Sequence, residues 1–499
     1  MEPLQLLGQG FATCFTPLNL AFILIGVLVG QIIGALPGIG PAAGMALLLP
    51  LTYGIPPATA IMMLAGIMYG GMYGGTLTSV LVNVPGEAAS VMTAVDGHQM
   101  ARKGRAGAAL SIAAIGSFLA GIAAVIAVVF ITPPLAAFGL KFNAPEYFLL
   151  ALLGITASAS LGSNSATKAL MAALLGLMIA MVGVDPIQGT QRMIFGQRQL
   201  LEGIDFLPVA IGIFGIAEVL SSLERWQEMQ PMRTRLRDMW LTSHEWAQSR
   251  MAIVRGGLVG FFIGVMPGAG PTIASMLAYV TERRFSRHPE RFGHGAIDAV
   301  AAAESANNAA SHGACVPMLA LGIPGSASTA VLLAALILHG IRPGPGLMTE
   351  QSVLVWGLIA SMFIGNVVLL ILNLPLAPLF AALLRVRYVY LAPGILVISL
   401  VGAYASTLNF STVWISLAFG LVGWFMIKLD FPRAPLVLAL VLAPLLESSL
   451  RQSLLLSFGS LKIFVERPLS AALLVCVVLS LALPVVSALR RAGGSRKVG

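Results

Sequence analysis

Residues 26 to 41 read GVLVGQIIGALPGIGP and residues 256 to 271 read GGLVGFFIGVMPGAGP, so one pattern of small and helix-breaking residues stands twice in the chain. Gly26, Gly30, Gly34, Pro37, Gly38, Gly40 and Pro41 match Gly256, Gly260, Gly264, Pro267, Gly268, Gly270 and Pro271 at one constant offset. A second pair follows in the same order: Val84-Pro85-Gly86-Glu87-Ala88 against Ile323-Pro324-Gly325-Ser326-Ala327. Repetition of this kind has to be read before any local element, because it fixes the plan of the whole fold.

The repeats lie in a chain whose side chains are 58% hydrophobic and only 10% charged, against about 25% charged in an ordinary soluble domain. That much apolar surface exceeds what a core can hide, so it must face lipid. Stretches long enough to cross a bilayer, about 20 residues with allowance for tilt, lie near 18 to 36, 58 to 82, 107 to 132, 145 to 161, 168 to 184 and 206 to 222. After a polar interval they resume at 252 to 266, 296 to 321, 352 to 372, 389 to 408, 411 to 427, 434 to 446 and 468 to 489. The pieces 41 to 52, 271 to 281 and 326 to 338 are too short to span and are flanked by Pro and Gly. They read as re-entrant or broken helices.

Loop charge relates the two halves. Tyr53 to Pro57 has no basic residue, whereas its counterpart carries Arg283, Arg284, Arg287 and Arg291; Arg102, Lys103 and Arg105 face only Arg342. The lead-in to the first break has no Lys or Arg, while the second has Arg225, Arg233, Arg235, Arg237, Arg250 and Arg255. Equivalent loops therefore belong on opposite sides of the membrane. The expected fold is an all-α polytopic membrane protein of about 10 to 12 crossings built as inverted repeats, the plan of many secondary transporters. Residues 1 to 223 form the first half, 224 to 251 a basic cytoplasmic connector, 252 to 450 the second half, and 451 to 499 a terminal helix with a basic tail. The N-terminus is expected in the periplasm and the C-terminus, with Arg490, Arg491, Arg496 and Lys497, in the cytoplasm; Arg385, Arg387, Lys428 and Arg433 fall inside too. No Lys or Arg precedes Arg102, so a basic signal-peptide n-region is missing and 18 to 36 is expected to remain as a membrane segment.

A net charge of +9 would suit a nucleic-acid binder, but the basic residues sit in short membrane loops, and nucleic acid is not an expected partner. Cys14, Cys315 and Cys476 lie far apart in or beside apolar segments, which argues against disulfides and transition-metal sites. The chain has no phosphate-binding loop, H-E-x-x-H or G-x-S-x-G signature. An enzyme is not expected, and energy would come from an ion gradient.

In hydrocarbon, non-helical backbone is tolerated only where protein or a water-filled cavity satisfies it. Pro37, Gly38, Gly40 and Pro41, and again Pro267, Gly268, Gly270 and Pro271, break a helix and restart it. Such breaks leave N–H groups for an anionic oxygen and carbonyls for a cation such as sodium. The Gly-x-x-x-Gly series before each break gives a smooth packing face. The Gly-rich run from Tyr69 to Gly75 suggests tight backbone contact, with Thr76, Thr78, Ser79 and Asn83 beyond it as a polar path. Residues 303 to 313 read AESANNAASHG in an apolar setting, so Glu304, Ser305, Asn307, Asn308, Ser311 and His312 are the costliest polar cluster in the chain and functional candidates. Pro324-Gly325-Ser326-Ala327-Ser328-Thr329 reads as a helix start with Ser326 as N-cap, and Glu87 takes the equivalent place. The expected substrate-binding set is thus the two breaks, Asn83, Pro85, Gly86, Ser305, Asn307, Asn308, Pro324, Gly325, Ser326 and Ser328; the cation set is Glu87, Glu304, Asn307 and Asn308. His98 and His339 abut loops and are expected to be solvated, and Trp226, Trp240 and Trp246 mark an interfacial or partner-docking stretch.

LPGIGP at 36 to 41, NVPGEAAS at 83 to 90, MPGAGP at 266 to 271, ESANNAA at 304 to 310 and LGIPGSAST at 321 to 329 together resemble the large membrane subunit of tripartite tricarboxylate transporters. The likeness spans about residues 18 to 430. It implies a bacterial inner-membrane carrier that works with a small four-helix membrane subunit and a periplasmic solute-binding protein. Its cargo would be citrate-like or other carboxylates, its coupling ion Na+ or H+. A stand-alone ion-coupled anion carrier and a noncatalytic scaffold subunit stay open beside this reading; an intramembrane enzyme lacks an assembled acid, base or nucleophile set.

Overall fold

The computed structural model describes residues 3–36, 40–161, 165–185, 188–224, 236–383 and 388–495. Arg225, Trp226, Arg233, Arg235, Arg385, Arg387, Arg496 and Lys497 lie outside them, as do Pro37 and Gly38 of the first break. Single-turn pieces and the short helix Ala377–Leu383 aside, the helices are α1 (Pro3–Cys14), α2 (Pro17–Ala35), α3 (Pro41–Leu48), α4 (Pro57–Val82), α5 (Val91–Arg102), α6 (Ala106–Gly139), α7 (Ala144–Leu161), α8 (Ala166–Ala180) and α9 (Phe206–Glu224). They continue as α10 (Ser243–Val265), α11 (Gly270–Phe285), α12 (Ile297–Gly313), α13 (Cys315–Leu321), α14 (Ala327–Leu338), α15 (Ser352–Asn373), α16 (Tyr388–Thr407), α17 (Phe410–Lys428), α18 (Ala434–Leu456) and α19 (Pro468–Ser495). Among the described residues the only strands are a two-residue antiparallel pair, Gly183–Val184 with Gln191–Arg192.

The chain is an all-α polytopic membrane protein. Seven of its described helices, α2, α4, α6, α9, α15, α17 and α18, are long and apolar enough to cross a bilayer. The shorter apolar helices α7, α8, α16 and α19 stand where the sequence places further crossings. The short pieces after the breaks are helical, as α3, α11 and α14. The expected span 296 to 321 is different: it divides at Ala314 into α12 and α13, and α13 closes in Gly322 at φ 73. The first basic cluster precedes a helix longer than its apolar core suggests, since α6 runs 34 residues through Pro133 and Pro134.

Two helices form the centre. The membrane-spanning window of α4 is wholly buried, and every residue of α12 is buried although six of them are polar or charged side chains between Glu304 and His312. A helix shielded from lipid on all sides can carry such groups without exposing them to hydrocarbon. Around this pair, α2 lies along α4 and α10 along α12, while α6 packs on α12 and α15. The Gly-x-x-x-Gly faces explain how α2 and α10 come so near. A β-carbon on Gly34 would collide with the Gly71 carbonyl, and one on Gly264 with the Ala310 carbonyl, so only glycine permits these backbone-to-backbone contacts.

Two polar links and one packed interface tie the segments before residue 224 to those after residue 251. Gln31 of α2 and Asn373 of α15 exchange amide hydrogen bonds at 2.8 and 3.1 Å inside the protein. Asp96 of α5, fully buried, accepts from the Gly293, Gly295 and Ala296 N–H groups at 2.7 to 3.0 Å and from the Tyr279 hydroxyl at 2.8 Å. It therefore satisfies backbone donors just ahead of α12, which no intrahelical carbonyl can serve. The third link is the packing of α6 on α12 and α15.

Candidate functional site

The described glycines of the two breaks take the backbone that only glycine adopts freely. Gly40 has φ 32 and Gly268 and Gly270 have φ 79 and 67, followed in each copy by a proline in the first turn of the next helix. Each break lies against the second motif of its own half. A β-carbon on Gly40 would stand 3.9 Å from Glu87 Cβ, and one on Gly270 would stand 3.6 Å from Ser326 Cβ. Gly86 sits under the Gly34 carbonyl as Gly325 sits under that of Gly264. The preceding helices α4 and α13 both end in a left-handed residue, Asn83 at φ 61 and Gly322 at φ 73. The helices after the breaks then cross over: α11 packs on the Ala88–Ser90 turn, and α3 packs on α14.

The polar groups of α12 form one network with α4, α5, α6 and α15. Glu304 is fully buried; its Oε1 accepts from the Thr93 hydroxyl at 2.5 Å and its Oε2 from Asn307 Nδ2 at 3.3 Å, and Thr76 also bonds it. Asn308 Nδ2 donates to Ser117 Oγ at 2.7 Å and to Asn307 Oδ1 at 2.6 Å. Two turns beyond Glu304, His312 Nδ1 lies 2.8 Å from the Asn308 carbonyl and its Nε2 lies 3.0 Å from Asn366 Nδ2. A carbonyl only accepts, so Nδ1 carries the proton and Nε2 accepts from the Asn366 amide. Tyr73 donates to Asn366 Oδ1 at 3.4 Å, and the Tyr69 ring stacks on the imidazole with centroids 5.7 Å apart.

Two features set this network apart from a packing clamp. Neither Glu87 nor Glu304 pairs with Lys or Arg among the described residues, although both are buried and near enough to act electrostatically on each other. Moreover, Glu87 Oε1, Ser305 Oγ, Asn308 Oδ1 and Ser311 Oγ are buried without a hydrogen-bond partner among the described residues. Buried polar atoms are almost always paired, so unpaired oxygens gathered in one region point to a ligand.

The structure thus brings Glu87 together with Gly40, Ser326 with Gly270, and Glu304 with Asn307 and Asn308. Ser326 caps α14, its Oγ accepting from the Thr329 N–H at 3.2 Å, as its position in the sequence implies. Pro271, Pro324 and Gly325 are buried, Pro85 and Pro267 are half-buried, and Ser328 is buried in the first turn of α14. Asn83 departs from the pattern, being exposed and serving as the left-handed cap of α4. Gly268 packs against Ser158 of α7 instead of the central network. His98 and His339 are half-buried and bonded, to the Val80 carbonyl and the Thr52 hydroxyl at 3.1 Å each, so the expectation that they are solvated does not hold. Thr93, Ser117, Tyr73 and Asn366 were not singled out by sequence. Asn366 and Ser117 are among the few polar residues of two largely apolar helices, and that cost was the available signal.

The family model described as the tripartite tricarboxylate transporter TctA family matches residues 20–438. The chain belongs to the TctA family. It is 44% identical over 485 residues to an uncharacterised 52.8 kDa protein in the TAR-I ttuC' 3' region of Agrobacterium vitis, covering 96% of this chain and 97% of that one. A second relative, an uncharacterised protein in the TAR-II ttuC' 3' region of the same organism, is 44% identical over 226 residues, 44% of this chain and 93% of its own length. No solved structure matches. Membership identifies this TctA chain as a multi-pass membrane component of a tripartite transport system, with a transport role.

Proposed function

We propose that this TctA chain is the permease of a binding-protein-dependent secondary transporter of the bacterial inner membrane, importing citrate-like or other carboxylates with a Na+ or H+ gradient. The observation that carries the reading is the pair of buried carboxyl groups, Glu87 and Glu304, without a basic partner and beside unpaired oxygens. An isolated carboxylate is expensive to bury, so a cation or a proton must offset its charge. Carboxylate, amide and hydroxyl oxygens suit a hard cation, and Glu87, Glu304, Asn307 and Asn308 would hold it. Bound there, the cation supplies positive charge that favours an anionic cargo nearby. The two breaks, with the N-termini of α3 and α14, offer N–H donors to that cargo's carboxylates. Ser305, Asn307 and Asn308 add polar contacts, and the capping bond between Ser326 and Thr329 fixes the start of α14.

The matching contacts at Gly34–Gly86 and Gly264–Gly325 support two related halves, and the reversed loop charges favour an upside-down relation between them, with the N-terminus periplasmic and the C-terminus cytoplasmic. Alternating access would then move the broken-helix elements against the remaining helices. The partners would be a periplasmic solute-binding protein and a small four-helix membrane subunit. The test is uptake of labelled citrate and other carboxylates into liposomes holding the chain and a candidate small subunit, with and without a candidate periplasmic binding protein. Uptake that needs both the loaded binding protein and a cation gradient supports the reading. Uptake without the binding protein identifies a stand-alone carrier, and uptake unaffected by Asn307→Ala with Asn308→Ala identifies a scaffold.

A further inference from the structure

Away from the central network, a cavity of about 240 Å³ opens where the end of α5, the start of α10 and the loop before α12 meet. Its polar lining is Lys103, Arg105, His244, Glu245, Gln248 and Arg291. The same loops carry the charge that assigns this face to the cytoplasm. We propose that this cavity is a second binding site, selective for small polycarboxylates, through which cargo accumulating inside the cell acts back on the carrier. The inference rests on the carboxylate-transport reading above, and it adds a site and a regulation to it.

Charge decides the ligand's sign. Three cationic side chains face one carboxylate, and that carboxylate is already committed: Arg105 binds Glu245 through both Nε, at 3.1 Å, and Nη2. Burial alone would raise Glu245, but the Thr242 N–H and the Arg105 guanidinium outweigh it and hold the group below the usual carboxylate range. Neither Lys103 nor Arg291 has a carboxylate within ion-pair distance among the described residues, Arg291 acting only through space on the exposed Glu290. Lys103 Nζ spends one donor on the His294 carbonyl at 2.6 Å and keeps two, and Arg291 makes no ion pair among the described residues. Size decides the class. The cavity is smaller than the roughly 300 to 1,000 Å³ of sites that take drug-sized molecules, so it fits a metabolite and not a polypeptide segment. Donors arriving from separate elements suit a molecule with several carboxylates better than one with a single charge.

The position of the cavity links it to transport. Its floor is Gly295, Ala296 and Ile297, the entry to α12, and Asp96 holds the first two by their N–H groups. An anion here would bridge Lys103 of the first half to Arg291 of the second. It would also compete for Arg105 with Glu245, which caps α10 through Thr242. Occupancy therefore fastens both halves to each other at the foot of the helix that carries Glu304, and opposes any motion that needs them to part.

The test uses purified full-length protein, with citrate as probe and inorganic phosphate as control. Calorimetry is run on the Asn307→Ala, Asn308→Ala background and on the same background with Lys103→Gln or Arg291→Gln. Citrate affinity that survives the central changes and falls about tenfold with either pocket change supports the site. Equal affinity in all variants, or phosphate binding as tightly as citrate, overturns it, the second outcome marking a phosphate or lipid-headgroup site. In liposomes, Arg291→Gln should leave initial uptake unchanged and raise about tenfold the internal citrate that halves it. Unmoved inhibition with intact uptake sinks the regulatory inference alone. Absent uptake with Arg291-dependent citrate binding sinks the transport reading and leaves the pocket standing.

Discussion

Replacing Glu304 with Gln separates charge from packing at the centre of the protein. The side chains have nearly the same volume, and the amide can keep the bonds to Asn307, Thr93 and Thr76, since each threonine hydroxyl can donate or accept. Its NH2 group would face Thr93, whose hydroxyl turns to accept, and its oxygen would still accept from Asn307 at the 3.3 Å seen for Oε2. Folding should therefore change by less than about 1 kcal/mol, because no donor is orphaned and no cavity forms. Cation binding loses a charged oxygen, and a charge-assisted contact is worth about 1.5 to 3 kcal/mol. At about 1.4 kcal/mol per factor of ten, half-saturation for the coupling cation should rise by about tenfold to a hundredfold. Citrate uptake into liposomes measured against external Na+ and against pH reads this shift, with thermal unfolding of the same sample as a check on the fold. A Glu304→Gln protein that melts normally and keeps the wild-type cation dependence in both titrations would refute the argument.

Asp96→Ala leaves three N–H groups and the Tyr279 hydroxyl without their common acceptor in a buried place, at a cost of roughly 3 kcal/mol or more. Thermal unfolding should fall by several degrees, and limited trypsin treatment should cut faster between Arg283 and Arg291. Burial pushes the His339 imidazole below its ordinary value of 6.5, so the folded state favours the neutral ring. Its contribution is present above that value and is lost as pH falls through and below it, because the unfolded chain then binds the extra proton. Melting temperature should drop on acidification from pH 7 to 5, and His339→Gln, which keeps a partner for Thr52, should lessen the drop.

Much of this architecture is written in local chemistry. The breaks, the Ser326 cap and the glycine faces all follow from what Pro, Gly and Ser do to a backbone within a few residues. The Glu304 to His312 stretch stood out because polar groups in an apolar run are costly. What completes the site comes from far away in sequence: Thr93 and Ser117 lie about two hundred residues before their partners, at separations of 211 and 191, and no periodicity reports such a meeting. Asp96 was invisible for the same reason, since an aspartate near a basic turn reads as solvated until the loop before α12 folds over it. The division of 296 to 321 at Ala314 also escaped, although Pro317, which has no N–H for the Gly313 carbonyl, was the available signal.

The length of α6 has a mechanical consequence. Its 34 residues make a rod about 51 Å long, while the oily layer is about 30 Å deep. Leaning at about 40° it still needs about 39 Å of depth. The guanidinium and ammonium groups of Arg102, Lys103 and Arg105 would moor its foot at the headgroups, so the excess protrudes at the far end, where Pro133 and Pro134 supply no N–H to the carbonyls of Val129 and Phe130. A mast anchored at one shore and standing clear of the oil at the other cannot itself ride up and down. In the transport cycle proposed above, the moving elements would slide along it, over the small-residue track of Gly116, Ser117 and Gly121 that touches Ser305, Asn308 and Asn366.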